Sequence, residues 1–148
     1  MGEKEHSRRT EIEPLILEAY TRTFIPRFDR YPIQKSDGSY GAVKSPLTTR
    51  HIEEHFRGEC TVGAYALSPQ DYAHWICFDA DDEEKWNKVL DLADDLERHE
   101  GLAPRREVSR RGGHLWLFTP TIPGIDARRF GKQLLSEYRI EKVELYPK

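Results

Sequence analysis

The segment Phe78-Asp79-Ala80-Asp81-Asp82 closes an unbroken apolar run, Trp75 to Phe78, and sets two carboxylates, Asp79 and Asp81, two positions apart. On an extended backbone that spacing puts both on one strand face, where they suit one or two hard divalent cations. Two such ions about 3.5–4 Å apart can activate a hydroxyl nucleophile and stabilise a leaving pyrophosphate. The same acids also suit helix capping, since Asp81 and Glu84 stand at capping-box spacing. Only one residue caps a helix, so capping leaves Asp79 unexplained.

The second candidate segment is Ser109-Arg110-Arg111-Gly112-Gly113-His114. It gathers a hydroxyl, two guanidinium groups, two unhindered backbone amides and an imidazole. Backbone amides can form a nest and arginine pairs bidentately with phosphate oxygens, so this inventory suits a triphosphate. An ordinary hairpin turn with exposed arginines has the same composition. Glu144 lies between Val143 and Leu145 and points to the opposite face from both. An acid on an edge strand also discourages edge-to-edge aggregation, so the role of Glu144 depends on its distance from the aspartates. His51-Ile52-Glu53-Glu54-His55 matches H-x-x-E-H and puts two imidazoles at i, i+4, a zinc-site pattern. That helix spans only about two turns on a charged surface, which favours a His55 that is exposed or near nucleic acid. No P-loop is present, which argues against an ATPase.

These residues need elements to hold them. Ile12, Leu15, Ile16 and Ala19 recur at helical spacing from Glu11 to Tyr20, and Pro26, Pro32, Asp37-Gly38 and Pro46 then mark a loop-rich stretch. A short helix is expected at Thr49 to Arg57, with Thr48 as cap and Gly58 after its end. Thr61 to Leu67 and Trp75 to Phe78 read as strands, the latter buried on both faces. A helix capped by Asp81 or Asp82 follows, with Trp86, Val89, Leu90, Ala93 and Leu96 as its apolar face. Arg105 to Ser109 and His114 to Phe118 form a hairpin. Asp126 is expected to cap a helix carrying Phe130, Leu134, Leu135 and Tyr138, and Glu141 to Tyr146 closes as a strand.

From Trp75 the order is β-α-β-β-α-β, the split βαβ signature of an α+β, ferredoxin-like or RRM-like fold. Its sheet sets the first and third strands side by side at the centre and the fourth beside the first. Both neighbours run antiparallel to the first strand, so His114 and Glu144 are expected near Asp79 and Asp81. Residues 1–60 are read as a helical and loop-rich N-terminal α/β extension and 61–148 as the palm core, within one compact domain. Met1 to Arg9 read as a loose terminus. Cys77 and Trp86 are assigned to the core.

The chain has 148 residues, 23 basic and 26 acidic, for a net charge of −3. Folding at this size buries roughly 68–70% of the unfolded surface, so neither disulfides nor a structural metal is needed. Two cysteines and no apolar run near 18 residues point to a soluble, cytoplasmic protein with no membrane span. A generic basic coat for nucleic acid is absent, so any phosphate contact must use a local patch or bound metal ions.

Three segments in order resemble the archaeo-eukaryotic primase superfamily, the primase-polymerases. FDADD is similar to its hydrophobic-DxD motif, SRRGGHLW to its serine-to-histidine motif and VELYPK to its hydrophobic-acid-hydrophobic motif. YPIQKSDGSYGAV and LTTRHIEEHFRGECTVGAYAL resemble the segment before the DxD in primase domains of bacterial conflict systems and CRISPR-associated primase-polymerases. The resemblance runs from about residue 20 to residue 148. It implies that Asp79, Asp81 and Glu144 hold catalytic Mg²⁺ or Mn²⁺, as two ions, with Glu144 replacing the commoner Asp. It implies that Ser109 and His114 contact the phosphates of an incoming nucleoside triphosphate, with Arg110, Arg111 and Gly113 of the same turn completing that site. Single-stranded template, and further domains or partner proteins of a replication or defence system, are the implied partners. Such domains continue into more basic sequence where this chain ends at Lys148, which implies a fragment or a minimal core of weak activity.

A non-catalytic RRM-like nucleic-acid-binding module shares the same β-α-β-β-α-β order. Trp116 and Phe118 on the third strand supply candidate stacking rings, while the aspartates ending the first strand repel RNA unless a metal is bound. Dependence of binding on divalent metal separates the two readings.

Overall fold

The structure is a computed structural model and describes residues 11–148, so the expectation for Met1 to Arg9 lies outside the described residues. The chain divides into two units, the first running to Tyr65 and the second from Ala66 to Lys148.

In the first unit, α1 (Pro14–Phe24) and α2 (Thr49–Phe56) accompany a two-stranded antiparallel sheet of β1 (Tyr31–Gln34) and β2 (Tyr40–Val43). Leu17, Ile25, Tyr31, Leu47 and Ile52 form its core, with Ile12, Tyr20 and Phe24 packed against them. The buried stripe of α1 is therefore phased on Leu17, and Leu15 and Ile16 are exposed, contrary to the expected face. The β1–β2 hairpin lies in the stretch expected to be loop. Its turn is closed by Asp37, which accepts hydrogen bonds from the Ser39 backbone N–H (2.9 Å) and hydroxyl (2.6 Å), while Gly38 takes a positive φ of 83°. That conformation is one glycine adopts without a Cβ penalty.

The strand expected at Thr61–Leu67 does not form. Val62 makes an isolated bridge to Ile33, flanked by Gln34 N–H to Thr61 O and Gly63 N–H to Pro32 O. The next ladder bond would need an N–H on Pro32, which proline lacks, so the pairing stops there.

The second unit is a four-stranded antiparallel sheet in the order β4-β5-β3-β6, made by β3 (Tyr72–Ala80), β4 (Arg105–Val108), β5 (Gly113–Pro123) and β6 (Glu144–Tyr146). With α3 (Glu83–His99) after β3 and α4 (Gly124–Glu137) after β5, this is the expected β-α-β-β-α-β order, with first and third strands central. One sheet face packs on the helices. Ile76, Phe78 and Ala80 of β3, Leu115 and Leu117 of β5 and Leu145 of β6 meet Trp86, Val89, Leu92, Ala93 and Leu96 of α3. Burying a side chain such as Phe78 is worth about 1.5–3 kcal/mol, and this cluster holds the sheet rigid beneath the opposite face. Alternation then sends Asp79, His114 and Glu144 to that opposite face.

Two helix details differ from expectation. Pro123, not Asp126, precedes the first turn of α4, and Asp126 lies inside that turn, where it accepts from Arg129. The buried face of α4 is Gly124, Ala127, Gly131 and Leu134, with Phe130 exposed. A Cβ on Gly131 would sit 2.6 Å from Leu145 Cδ1, so small residues let the helix approach the sheet closely. Strand β6 begins at Glu144 instead of Glu141, because Arg139 and Lys142 take positive φ values of 52° and 58° and keep the chain turning. Across the helix layer, the Tyr138 hydroxyl donates to Asp95 at 2.9 Å, and Arg106 of β4 reaches Asp94 and Glu97 of α3 at 2.8 and 2.7 Å.

Candidate metal and nucleotide site

Four residues on the face away from the helices form one row across the sheet. Glu107 of β4 is the register partner of His114 on β5, His114 of Asp79 on β3, and Asp79 of Glu144 on β6. Each strand contributes one residue, so the row is set by pairing register and not by any loop. His114 Nε2 lies 3.4 Å from Asp79 Oδ1, and His114 Nδ1 lies 3.1 Å from Glu107 Oε2. The hydrogen bond to Asp79, outweighing the desolvation that opposes it, raises the imidazole pKa above its ordinary value.

Glu144 accepts from the Tyr146 hydroxyl at 2.8 Å and pairs with Lys148 at 3.0 Å. Those two partners lower its pKa, against a smaller upward push from the charge of Asp79.

Asp81 stands apart from this row. Strand β3 ends at Ala80, and the chain then turns into α3, whose N-cap is Asp82, accepting from Lys85 N–H at 2.9 Å. Lys85 Nζ reaches back to Asp81 and, at 2.7 Å, to Asp82, lowering the pKa of both acids. Asp81 therefore lies one residue past the end of the strand that carries Asp79, and an ammonium group engages it. With Asp82 as the cap, Asp81 is not used for capping either.

The turn after β4 is closed on itself. Ser109 N–H donates to Gly112 O at 3.0 Å and Gly112 N–H donates to Ser109 Oγ at 3.2 Å, so one amide expected to face a phosphate is already used. Both glycines also have packing reasons. A Cβ on Gly112 would sit 2.1 Å from the carbonyl oxygen of Ala80, and one on Gly113 would sit 2.6 Å from the Trp86 ring and 2.7 Å from Glu107 O. The glycines press the turn against the end of β3, which brings the exposed Arg110 and Arg111 to the same end of the sheet as Asp79 and Asp81. Neither arginine forms an ion pair with a described residue.

Beyond His114 the same strand face carries Trp116 and Phe118, stacked with centroids 6.4 Å apart and planes within 8°. Trp75 meets Trp116 edge-on at 5.1 Å. Cys77 is buried beside them in register, and burial raises its thiol pKa, so it is an inert core group as expected.

Glu107 was not among the expected site residues. Its signal was present, since a hairpin turning through residues 109–112 sets position 107 opposite 114. The two histidines of the H-x-x-E-H segment, by contrast, are half-buried and structurally engaged. His51 Nδ1 accepts from Thr48 N–H at 3.0 Å and its Nε2 faces the Tyr31 hydroxyl at 3.4 Å. His55 Nδ1 accepts from Val62 N–H at 3.3 Å and its Nε2 faces the Tyr20 hydroxyl at 3.5 Å. Both ring nitrogens of each are committed, so His55 is not the exposed residue expected.

The oxygen donors of Asp79, Glu144 and Asp81 have the hardness that Mg²⁺ or Mn²⁺ requires. Among the described residues no three His, Cys, Asp or Glu side chains are gathered closely enough to hold an ion. The donors thus fit such an ion by chemistry, and register sets Asp79 opposite Glu144, while Asp81 is paired with Lys85.

Among the described residues no helix is long and apolar enough to cross a membrane. No curated protein matches the chain. Residues 19–147 match a family model described as the archaeo-eukaryotic primase domain of the TOTE conflict system, and a match over that span shows that the chain belongs to the AEP-TOTE family.

Proposed function

We propose that this chain is the catalytic palm of a primase-polymerase, joining nucleotides to a 3′ hydroxyl or to a first nucleotide on a single-stranded template with Mg²⁺ or Mn²⁺. The observation that carries this reading is the cross-strand row that sets Asp79 between His114 and Glu144. Divalent ions held there supply Lewis-acid activation of the attacking hydroxyl and neutralise charge on the leaving pyrophosphate. Asp79 and Glu144 would hold these ions from adjacent strands, and Asp81 would add a third carboxylate once free of Lys85.

His114 Nε2, on leaving Asp79, donates to a phosphate oxygen of the incoming nucleotide. Arg110 and Arg111 at the turn tip add local positive charge to a chain whose net charge is −3. Ser109 and Gly113 fix that turn. The rigid sheet holds these groups in place, and positioning of this kind is what in-line transfer demands. Such a palm works in the cytoplasm beside further domains or partner proteins of a replication or defence system.

The test is primer extension on a single-stranded template at low salt with Mn²⁺. The chain extends the primer, and Asp79→Ala loses on the order of 10²–10³-fold in rate while keeping its fold. Equal extension by the folded variant contradicts the assignment. A binding-only reading draws on the stacked Trp116–Phe118 pair, and nucleic-acid binding that is indifferent to divalent metal, with no extension, would favour it.

A further inference from the structure

We propose that Glu107 is a positioning residue for His114: its carboxylate anchors Nδ1, so that Nε2 is the ring nitrogen presented to Asp79 and to an incoming triphosphate. This rests on the nucleotide role given to His114 above.

Three observations carry it. Glu107 is the register partner of His114, with Oε2 3.1 Å from Nδ1. The same oxygen accepts from Trp116 Nε1–H at 2.8 Å, and Trp116 is in turn packed edge-on against the buried Trp75. The carboxylate is therefore held from the neighbouring strand and not left to swing on an open edge. No Lys or Arg of the described residues pairs with Glu107, whose carboxylate meets the imidazole and the indole.

A half-turn of the imidazole about its Cβ–Cγ bond would set carbon edges against both Glu107 and Asp79. With Glu107 in place, only the observed orientation turns a ring nitrogen toward each carboxylate. When Asp79 turns to a metal ion and Nε2 to a phosphate, Glu107 is the contact that remains to hold the ring. Nδ1 is buried, and its 3.1 Å contact with Glu107 does not have hydrogen-bond geometry. Contacts at catalytic groups are commonly loose in the free protein and tighten with ligand.

The sign of the effect separates positioning from simple charge. A carboxylate near a triphosphate repels it, so removing Glu107 tightens nucleotide binding if charge is all that matters. Under positioning, removal weakens it.

The experiment is calorimetric titration of the whole chain with a non-hydrolysable nucleoside triphosphate and Mn²⁺, for wild type, Glu107→Ala, Glu107→Gln, His114→Ala and the Glu107→Ala/His114→Ala double variant. Glu107→Ala weakens binding about five- to tenfold, the range of directly coupled neighbours. Glu107→Gln, which keeps an acceptor oxygen, recovers most of that loss. In the His114→Ala background the Glu107 change has no further effect. Tighter or unchanged binding by Glu107→Ala, failure of Glu107→Gln to recover, or an equal loss in the His114→Ala background overturns the inference while leaving the proposed function standing. Wild type that does not bind the analogue, or His114→Ala that binds it as wild type does, overturns both.

Discussion

Asp79 and His114 are direct partners across the central β3–β5 pair, and their side chains meet at 3.4 Å on the sheet face opposite the helices. The contact raises the imidazole pKa above its ordinary 6.5. A raised folded-state pKa means that the pair contributes its full stabilisation below the unfolded value and loses it as pH climbs through the folded value. In metal-free protein, with chelator present, the His114 ring protons titrate by NMR at a midpoint above that of a model imidazole. Asp79→Asn moves the midpoint down. An unmoved midpoint would show that Asp79 does not engage the ring.

On the function proposed above, Lys85 would compete with a divalent metal for Asp81. Its ammonium bridges Asp81 and Asp82, and both acids are otherwise exposed enough to be hydrated cheaply. Lys85→Met keeps the apolar stem and removes the competitor. Mn²⁺ binding, read from the loss of free-ion signal in electron paramagnetic resonance, strengthens about two- to fivefold, the size expected for release of an exposed ion pair. Weaker Mn²⁺ binding by Lys85→Met would place Asp81 outside the metal site.

Gly112 is required by the backbone beside it. A Cβ there would meet the Ala80 carbonyl oxygen at 2.1 Å, and backbone at a strand end cannot move aside as a flexible side chain could. Gly112→Ala costs about 1–3 kcal/mol of stability through overpacking, seen as a lower midpoint in urea with an unchanged slope. It also weakens triphosphate binding by moving Arg110 and Arg111. A variant as stable as wild type would mean that the turn does not sit against β3.

Much of this arrangement was legible in the sequence. The apolar run ending at Asp79 marked a strand buried on both faces, and Trp75, Ile76, Cys77 and Phe78 are all buried. Element order then fixed the strand neighbours, and through antiparallel register it put His114 and Glu144 beside Asp79. What escaped was set by single backbone events. Strand β3 ends at Ala80 and Asp82 caps the next helix, which leaves Asp81 outside the ladder and within reach of Lys85. Strands of four residues, one interrupted by Pro32 and the other by Gly41, carry too little alternation to show the β1–β2 hairpin. On α1 the apolar residues Leu15, Ile16 and Leu17 are consecutive, so spacing alone left the buried phase open and tertiary packing chose Leu17. Glu107 was missed because it is an ordinary acid on an edge strand until the hairpin register sets it against His114.

The most direct test of the central claim is a crystal structure with Mn²⁺ and a non-hydrolysable nucleoside triphosphate, located by the anomalous signal of manganese. The account predicts manganese coordinated by Asp79 together with Glu144 or Asp81, and phosphate oxygens within hydrogen-bond distance of His114 Nε2. Manganese elsewhere on the chain, or a nucleotide bound away from the Ser109–His114 turn, would contradict it.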